Sequence, residues 1–356
     1  MGIVVMGAVF VDIKGYPQDI YLPGGRNAGR VEQVHGGVSR NIVEDIANVE
    51  LRPTFVSLVD RTGAGLDVLE KLRRHKVNTD YVSVTPDGMG TWLAIFDNEG
   101  DVVAAISKRP DLRPILNTLE KHGDEIFAGA DSVVIEIDMD PDIVKEVFRL
   151  AEKHGKDVYA VVSNMSIAVE RRDFLRKCAC FVCNRQEAGI LFLEDYAGKT
   201  PAEMMSLLPE RVANAGIRRM VVTMGGEGAV YVDADGSVGF CPPQKVDVKD
   251  TTGAGDAFFS GVTIGLTYGK TLGEACQIGT RLAAAVICTG ENVCPGSCPA
   301  NSAWMSRWRS KKEQQKARLA MPNALFERYG IQGCAGTKPT PPSLSKVILE
   351  ASRTLR

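Results

Sequence analysis

Several things are missing from this chain, and each absence closes off a class of function. No apolar run approaches the length needed to cross a bilayer. Residues 1–10 carry no basic segment and no small-residue cleavage site, so they read as a first strand and not as a secretory signal. Neither sign of charge dominates: the formal net charge is −2, which gives no global argument for nucleic acid or an acidic membrane. No G-x-G-x-x-G follows the first apolar run, so a dinucleotide-binding oxidoreductase ranks last among the enzymes considered. A P-loop is absent as well. Gly265–Thr271 imitates one, but only three residues separate its glycines, and it follows a helical pattern where a strand is required. A helix end with Gly269 as terminator accounts for it. The nine cysteines are scattered and odd in number, which implies reduced thiols and a cytoplasmic protein. Cys178, Cys180 and Cys183 lack a second ligand pair at zinc spacing and read as small residues of a buried strand.

What is present is a long α/β alternation. With 44% hydrophobic residues among 356, the chain can bury a large core, as one α/β domain or two smaller ones. The compact run Ile3–Phe10 predicts a buried strand, with Asp12 just beyond its end, where a polar group reaches a cleft or merely makes a turn. A glycine-rich stretch, 23–41, leads into a helical pattern through Ile42, Ile46, Ala47 and Val49. Gly36 and Gly37 allow close backbone approach to a polyol, and Asn41 offers a donor and an acceptor from the first turns. Strands are predicted at 53–59, 132–137, 157–162, 220–224, 229–232 and 237–241, and helices over 67–74, 141–154 and 272–287, which argues for a parallel, helix-covered sheet. Residues 91–96 and 102–106 flank the turn Asp97–Asp101, a β-hairpin placed to act as a lid. Asn184 and Glu187 have capping-box spacing, and the same spacing places both on one face, where Glu187 can hold Mg²⁺-bound water.

The chain is organised around Asp250–Gly261. Short side chains and two glycines, Gly253 and Gly255, precede a helical segment, so unpaired N–H groups and the positive end of a helix dipole make an anion site. Asp256 is awkward beside an anion unless it is a general base for a hydroxyl whose attack those amides assist. The plainer reading is an acidic first helical turn that complements the dipole.

This stretch resembles the D-T-x-G-A-G-D signature of the ribokinase-like (PfkB) carbohydrate and nucleoside kinases, with similarity extending over about residues 1–300. The resemblance implies a three-layer α/β sandwich with a central, mostly parallel sheet and a small β-lid from about 13–35 and 89–107. It implies Asp256 as catalytic base, with the Gly253, Ala254 and Gly255 amides on the transferring phosphate. It places ATP along Thr223, Gly225 and Gly228, with Asn184, Thr252 and Asn292 also on the nucleotide side, Mg²⁺ near Glu187, and a monovalent cation (K⁺) near Asp250 and Thr252. Val11–Gly15, together with Asn27–Val31 and Gly36–Ile42, is most similar to the pseudouridine kinases, so Asp12, Asn27, Gly36, Gly37 and Asn41 become acceptor residues and pseudouridine the first-choice acceptor.

Departures from the family pattern keep ribose, fructose, a sugar acid or another nucleoside open. Val38 replaces the lysine of ribokinases proper, Ile106–Arg109 lacks an expected aspartate-methionine pair, and Ala160–Ser163 lacks an aspartate-proline pair. A catalytically silent sugar- or nucleotide-binding regulator is the alternative of another class, and a homodimer through the lid is an expected partner arrangement. Residues 301–356 fall outside the pattern. They hold eleven Lys/Arg against three Asp/Glu, a net of +8, around a proline-rich break at 338–342, with helices expected at 302–319 and 343–354. Too few aromatics accompany this charge to predict a nucleic-acid arm.

Overall fold

A computed structural model describes residues 2–49, 51–99 and 101–296. The chain divides into Met1–Ser302 and Ala303–Arg356. The second unit lies outside the described residues, as do the helices expected within it.

In chain order, β1 (Ile3–Met6) gives way to β2 (Phe10–Pro17) and β3 (Gly29–Gly36), followed by α1 (Val38–Asn48), β4 (Thr54–Val59), α2 (Gly63–Arg74) and β5 (Asn78–Val84). The hairpin β6 (Gly90–Phe96) and β7 (Val102–Lys108) comes next. The βα rhythm resumes with α3 (Arg113–Gly129), β8 (Ser132–Glu136), α4 (Pro141–His154) and β9 (Val158–Val161). Short α5 (Met165–Val169) and α6 (Arg172–Leu175) precede β10 (Cys180–Asn184), α7 (Arg185–Phe192), α8 (Pro201–Ala215) and β11 (Met220–Thr223). Last come β12 (Ala229–Val232), β13 (Val238–Cys241), α9 (Ala254–Thr267) and α10 (Leu272–Ile287).

Two sheets result. The large one has nine strands in the order β13-β12-β11-β10-β9-β8-β1-β4-β5. It is parallel from β11 through β5, and β12 and β13 add antiparallel at one edge. Helices cover both faces, as β1, β4 and β8, buried along their whole length, require of strands buried on both sides. The small sheet, β3-β2-β6-β7, is the lid. No helix among the described residues is long and apolar enough to cross a membrane.

One expectation is corrected here. Ile3–Phe10 is not a single strand: β1 ends at Met6, and Phe10 already belongs to β2 of the lid. The break is at Gly7, where a side chain would collide with the Ser39 hydroxyl and the Glu136 carboxylate, at 2.1 and 2.3 Å. Asp12 therefore sits in mid-strand on the lid instead of at the end of a main-sheet strand.

Helix α9 is buried from Ala257 to Gly265 and crosses α10 at glycines. A methyl at Gly261 would lie 2.5 Å from the Gly279 backbone, and one at Gly265 would lie 2.7 Å from Ala275. We expect Gly261→Ala to destabilise the protein by about 1–3 kcal/mol, the usual cost of overpacking. Thermal unfolding would measure this, and an unchanged Tm would mean that the helices separate freely.

Candidate active site

Parallel α/β sheets bind ligands beyond the carboxyl ends of their strands, and the predicted residues gather along that edge. Gly253, at φ 79°, caps α9 and puts Asp256 in its first turn. Only glycine suits that turn, because a Cβ there would lie 2.0 Å from the Asn292 carbonyl oxygen. The Thr252 N–H and hydroxyl both donate to Asp250 Oδ1 at 2.9 Å, which fixes the approach to the turn and holds the Asp250 carboxyl below its ordinary range.

The open amides differ in one respect from the sequence expectation. Ala254 N–H closes a turn on Thr251 O at 3.2 Å, whereas those of Gly253, Gly255 and Asp256 have no protein partner among the described residues. The anion cradle thus begins from Gly253, Gly255 and Asp256, and Ala254 joins it only by releasing Thr251.

Asp256 is half-buried, and burial lifts its carboxyl to about 6, with Asp12 adding to the shift while the Asn41 hydrogen bond and Arg40 oppose it. Asn41 Nδ2 donates to Asp256 Oδ2 at 2.6 Å, leaving Oδ1 to accept from a hydroxyl. Asn41 Oδ1 is buried and has no hydrogen-bond partner among the described residues, so an unused acceptor sits beside the base. Asn41 is aimed by α1, whose start is fixed by Ser39 N–H donating to Glu136 Oε1 at 3.2 Å and by Gly37, at φ 99° under the Ala8 carbonyl. Gly36 makes room for Asp12: a methyl there would lie 2.5 Å from both carboxylate oxygens. Burial raises the Asp12 carboxyl as well, against Lys14 and Arg40. Asp12, Gly36, Gly37, Asn41, Gly253 and Asp256 therefore form one group.

Asn292 belongs beside this group. Its Nδ2 donates to His35 O at 2.7 Å, so it pins the 289–296 turn to the end of β3. The same turn is clamped from below: Asp45 Oδ1 accepts from Cys294 N–H at 2.6 Å and Asn48 Nδ2 donates to Cys294 O at 2.7 Å. Asp45 is a residue that sequence reading missed, since nothing local marks a buried carboxyl with a partner 249 positions away. Asn27 is not brought into the group; its amide bonds Leu22 and Gly25 and shapes the lid loop.

A second group lies at the ends of β10 and β11. Asn184 and Glu187 form the full capping box, with Glu187 N–H to Asn184 Oδ1 at 2.8 Å and Asn184 N–H to Glu187 Oε2 at 2.7 Å. Thr223 pairs with Asn184 in register, and the short 3₁₀ turn Gly225–Glu227 with Gly228 follows. Arg185 ties the two by bonding Glu227 at 3.1 Å. One Glu187 oxygen remains free, and burial raises its carboxyl, so a nearby dication would favour the ionised form.

Lid strand β2 turns Asp12, Lys14 and Tyr16 to the cleft, and β6 sets Trp92, Ala94 and Phe96 on the same face. Tyr16 and Phe96 stack at 4.8 Å, and Trp92 meets Phe96 edge-on at 6.4 Å. This aromatic patch over a polar floor fits a flat ring better than a bare polyol. Sequence reading did not find it, because its members lie on two strands far apart in the chain.

A family model described as the pfkB family of carbohydrate kinases matches residues 2–293. The guanosine-inosine kinase of Exiguobacterium acetylicum is 35% identical over 292 residues, covering 82% of this chain and 95% of that one. The pseudouridine kinase of Escherichia coli (strain K12) is 27% identical over 277 residues, covering 77% and 87%. Among solved structures, Arabidopsis thaliana ribokinase complexed with ribose and ATP superposes with a TM-score of 0.71 at 18% identity, covering 85% of this chain and 97% of that one.

Proposed function

Because this chain belongs to the pfkB family of carbohydrate kinases and is a phosphotransferase with a hydroxyl acceptor, we propose that it moves the γ-phosphoryl group of ATP to the 5′-hydroxyl of a purine nucleoside, guanosine or inosine. The carrying observation is Asp256, half-buried at the start of α9 with one oxygen held by Asn41. The free oxygen takes the hydroxyl proton as attack begins. The amides of Gly253, Gly255 and Asp256 meet the charge that spreads onto the phosphoryl oxygens, where preorganised donors act most strongly. Asp12 and Asn41 orient the ribose hydroxyls, with Gly36 and Gly37 clearing the approach.

ATP lies along Thr223, Gly225 and Gly228, with Asn184, Thr252 and Asn292 on its side of the cleft. Mg²⁺, when bound, would supply charge neutralisation, and the free oxygen of Glu187 would hold it through water. A monovalent cation fits beside Asp250 and Thr252, in a cavity of about 260 Å³ that Lys14 and Asn292 also line.

The aromatic lid face favours a nucleoside over a sugar, and the greater identity to the guanosine-inosine kinase favours a purine. Pseudouridine stays the second reading, on the Asp12–Gly15 segment. The exposed apolar side chains Val31, Leu93, Ile95, Val102, Val103 and Ile106 suit a homodimer through the lid, and the seven described cysteines, all free, suit a cytoplasmic enzyme.

An ATP-coupled assay with guanosine, inosine, adenosine, pseudouridine, ribose and fructose tests this reading. Turnover of ribose or fructose alone would replace it, and no turnover with any acceptor would favour a silent regulator. Trp92→Ala should raise KM for the nucleoside about tenfold, the usual worth of one aromatic–base stack, and leave any ribose turnover unaffected. Equal losses on both would assign Trp92 to lid folding alone.

A further inference from the structure

Resting on the purine nucleoside reading, we infer that Arg109 reads the base: its guanidinium donates to O6 and N7 of a 6-oxopurine and thereby sets the preference for guanine and hypoxanthine over adenine. Arg109 follows β7 directly, and the β6–β7 register sets Ser107 opposite Trp92. Arg109, two residues on from Ser107 and one past the end of β7, lies at the foot of the lid.

Its side chain is held. Nη2 donates to Asp138 Oδ2 at 2.6 Å and Nη1 to Asp138 O at 3.2 Å. The Asp138 side chain is 0% exposed, and its carboxylate also accepts the Ser163 N–H at 3.1 Å and hydroxyl at 2.7 Å. A saturated, buried carboxylate thus fixes a guanidinium that is itself 42% exposed. Of the five N–H groups of an arginine, Nε and one Nη1 hydrogen have no partner among the described residues, and the second Nη2 hydrogen makes only a long bond to the Ser163 hydroxyl, at 3.4 Å, which a base edge would displace.

This fork stands on the same edge as the base. β8 ends at Glu136, which holds Ser39 at the start of α1, and Asn41 two residues later holds Asp256. Two residues beyond Glu136, Asp138 holds Arg109. A nucleoside with its hydroxyl at Asp256 and its ring on Trp92 brings a base edge toward the foot of the lid. Guanine and hypoxanthine present two acceptors there, O6 and N7, and match a fork of donors. Adenine presents an amino donor against it. The positions that depart from the pseudouridine kinase pattern, Arg109 and Ser163, are thereby linked through one carboxylate.

The experiment measures kcat/KM of the full chain with guanosine, inosine, adenosine and 7-deazaguanosine, which lacks the N7 acceptor. We expect guanosine and inosine to exceed adenosine and 7-deazaguanosine by about tenfold or more, the discrimination of one bidentate pair. Arg109→Lys keeps a cation for Asp138 and loses the fork, so it should abolish most of that preference, the loss appearing in KM for guanosine and inosine. Equal turnover of guanosine and 7-deazaguanosine, or an unchanged inosine-to-adenosine ratio in Arg109→Lys, would overturn the assignment and leave the nucleoside reading standing. Turnover of sugars with no nucleoside accepted would overturn both.

Discussion

Asp256→Asn is expected to lower kcat by about two to four orders of magnitude, the range for a positioned general base, with the acceptor KM little changed. The substitution keeps the shape of the side chain and a partner for Asn41 while removing the carboxylate oxygen proposed to take the hydroxyl proton. The wild-type pH profile should carry the same signature. Burial lifts the Asp256 carboxyl of the free protein to about 6, so kcat/KM should be flat above that pH and fall about tenfold per unit below it, as the base becomes protonated. A profile flat down to pH 4.5 would assign the proton to another acceptor.

The same residue makes a stability prediction of opposite sense. A carboxyl whose pKa is raised on folding is more easily ionised in the unfolded chain, so its ionisation begins to oppose folding above the unfolded value and does so fully above the folded one. Asp256→Asn should therefore raise Tm at pH 7 to 8. That advantage should shrink as pH falls from about 6 toward the ordinary aspartate value near 4, where Asp256 is neutral in both states. Loss of activity with gain of stability is what a strained functional group gives. Loss of both would mark Asp256 as a structural cap of α9.

The second large effect is expected at Gly253. Its backbone has φ 79°, and a methyl would overlap the Asn292 carbonyl, at 2.0 Å. Gly253→Ala must therefore either rotate the turn or push the 289–296 segment away. Both movements displace the amides of Gly255 and Asp256 from the phosphoryl group. Misplacing such donors costs about 10²–10³ in kcat, and the loss should appear in kcat more than in the acceptor KM. Circular dichroism would check that α9 persists. Unchanged turnover in a folded Gly253→Ala would mean that these amides do not face the reacting phosphate.

Much of the site was legible because its signals are local. Gly253 and Asp256 are three residues apart, Asn184 and Glu187 likewise, and such spacings fix geometry within one turn of helix. The bounds of α4 and α10 follow the apolar periodicity closely for the same reason. What escaped depends on contacts distant in sequence. Ile3–Phe10 reads as one strand from its apolar run, and only the packing of Gly7 against Ser39 and Glu136 divides it. That division moves Asp12 onto the lid, and with it the whole relation between the acceptor residues and the main sheet. Asn27 has the right neighbours in sequence, yet its amide is used within its own loop. The Arg109–Asp138–Ser163 group was visible only as departures from a pattern; their mutual contact emerges from strands β8 and β9 lying side by side. Asp45 and Cys294 carry no local signal at all.

The most direct measurement is single-turnover transfer from γ-labelled ATP to inosine by the wild-type chain and by Asp256→Asn, with the product identified by phosphorus NMR. Label at the 5′-oxygen of inosine with the wild type, and a rate lower by at least about a hundredfold with the variant, is the predicted result. Transfer at equal rates by the two proteins would contradict the role given to Asp256, and label on no hydroxyl of the nucleoside would contradict the acceptor.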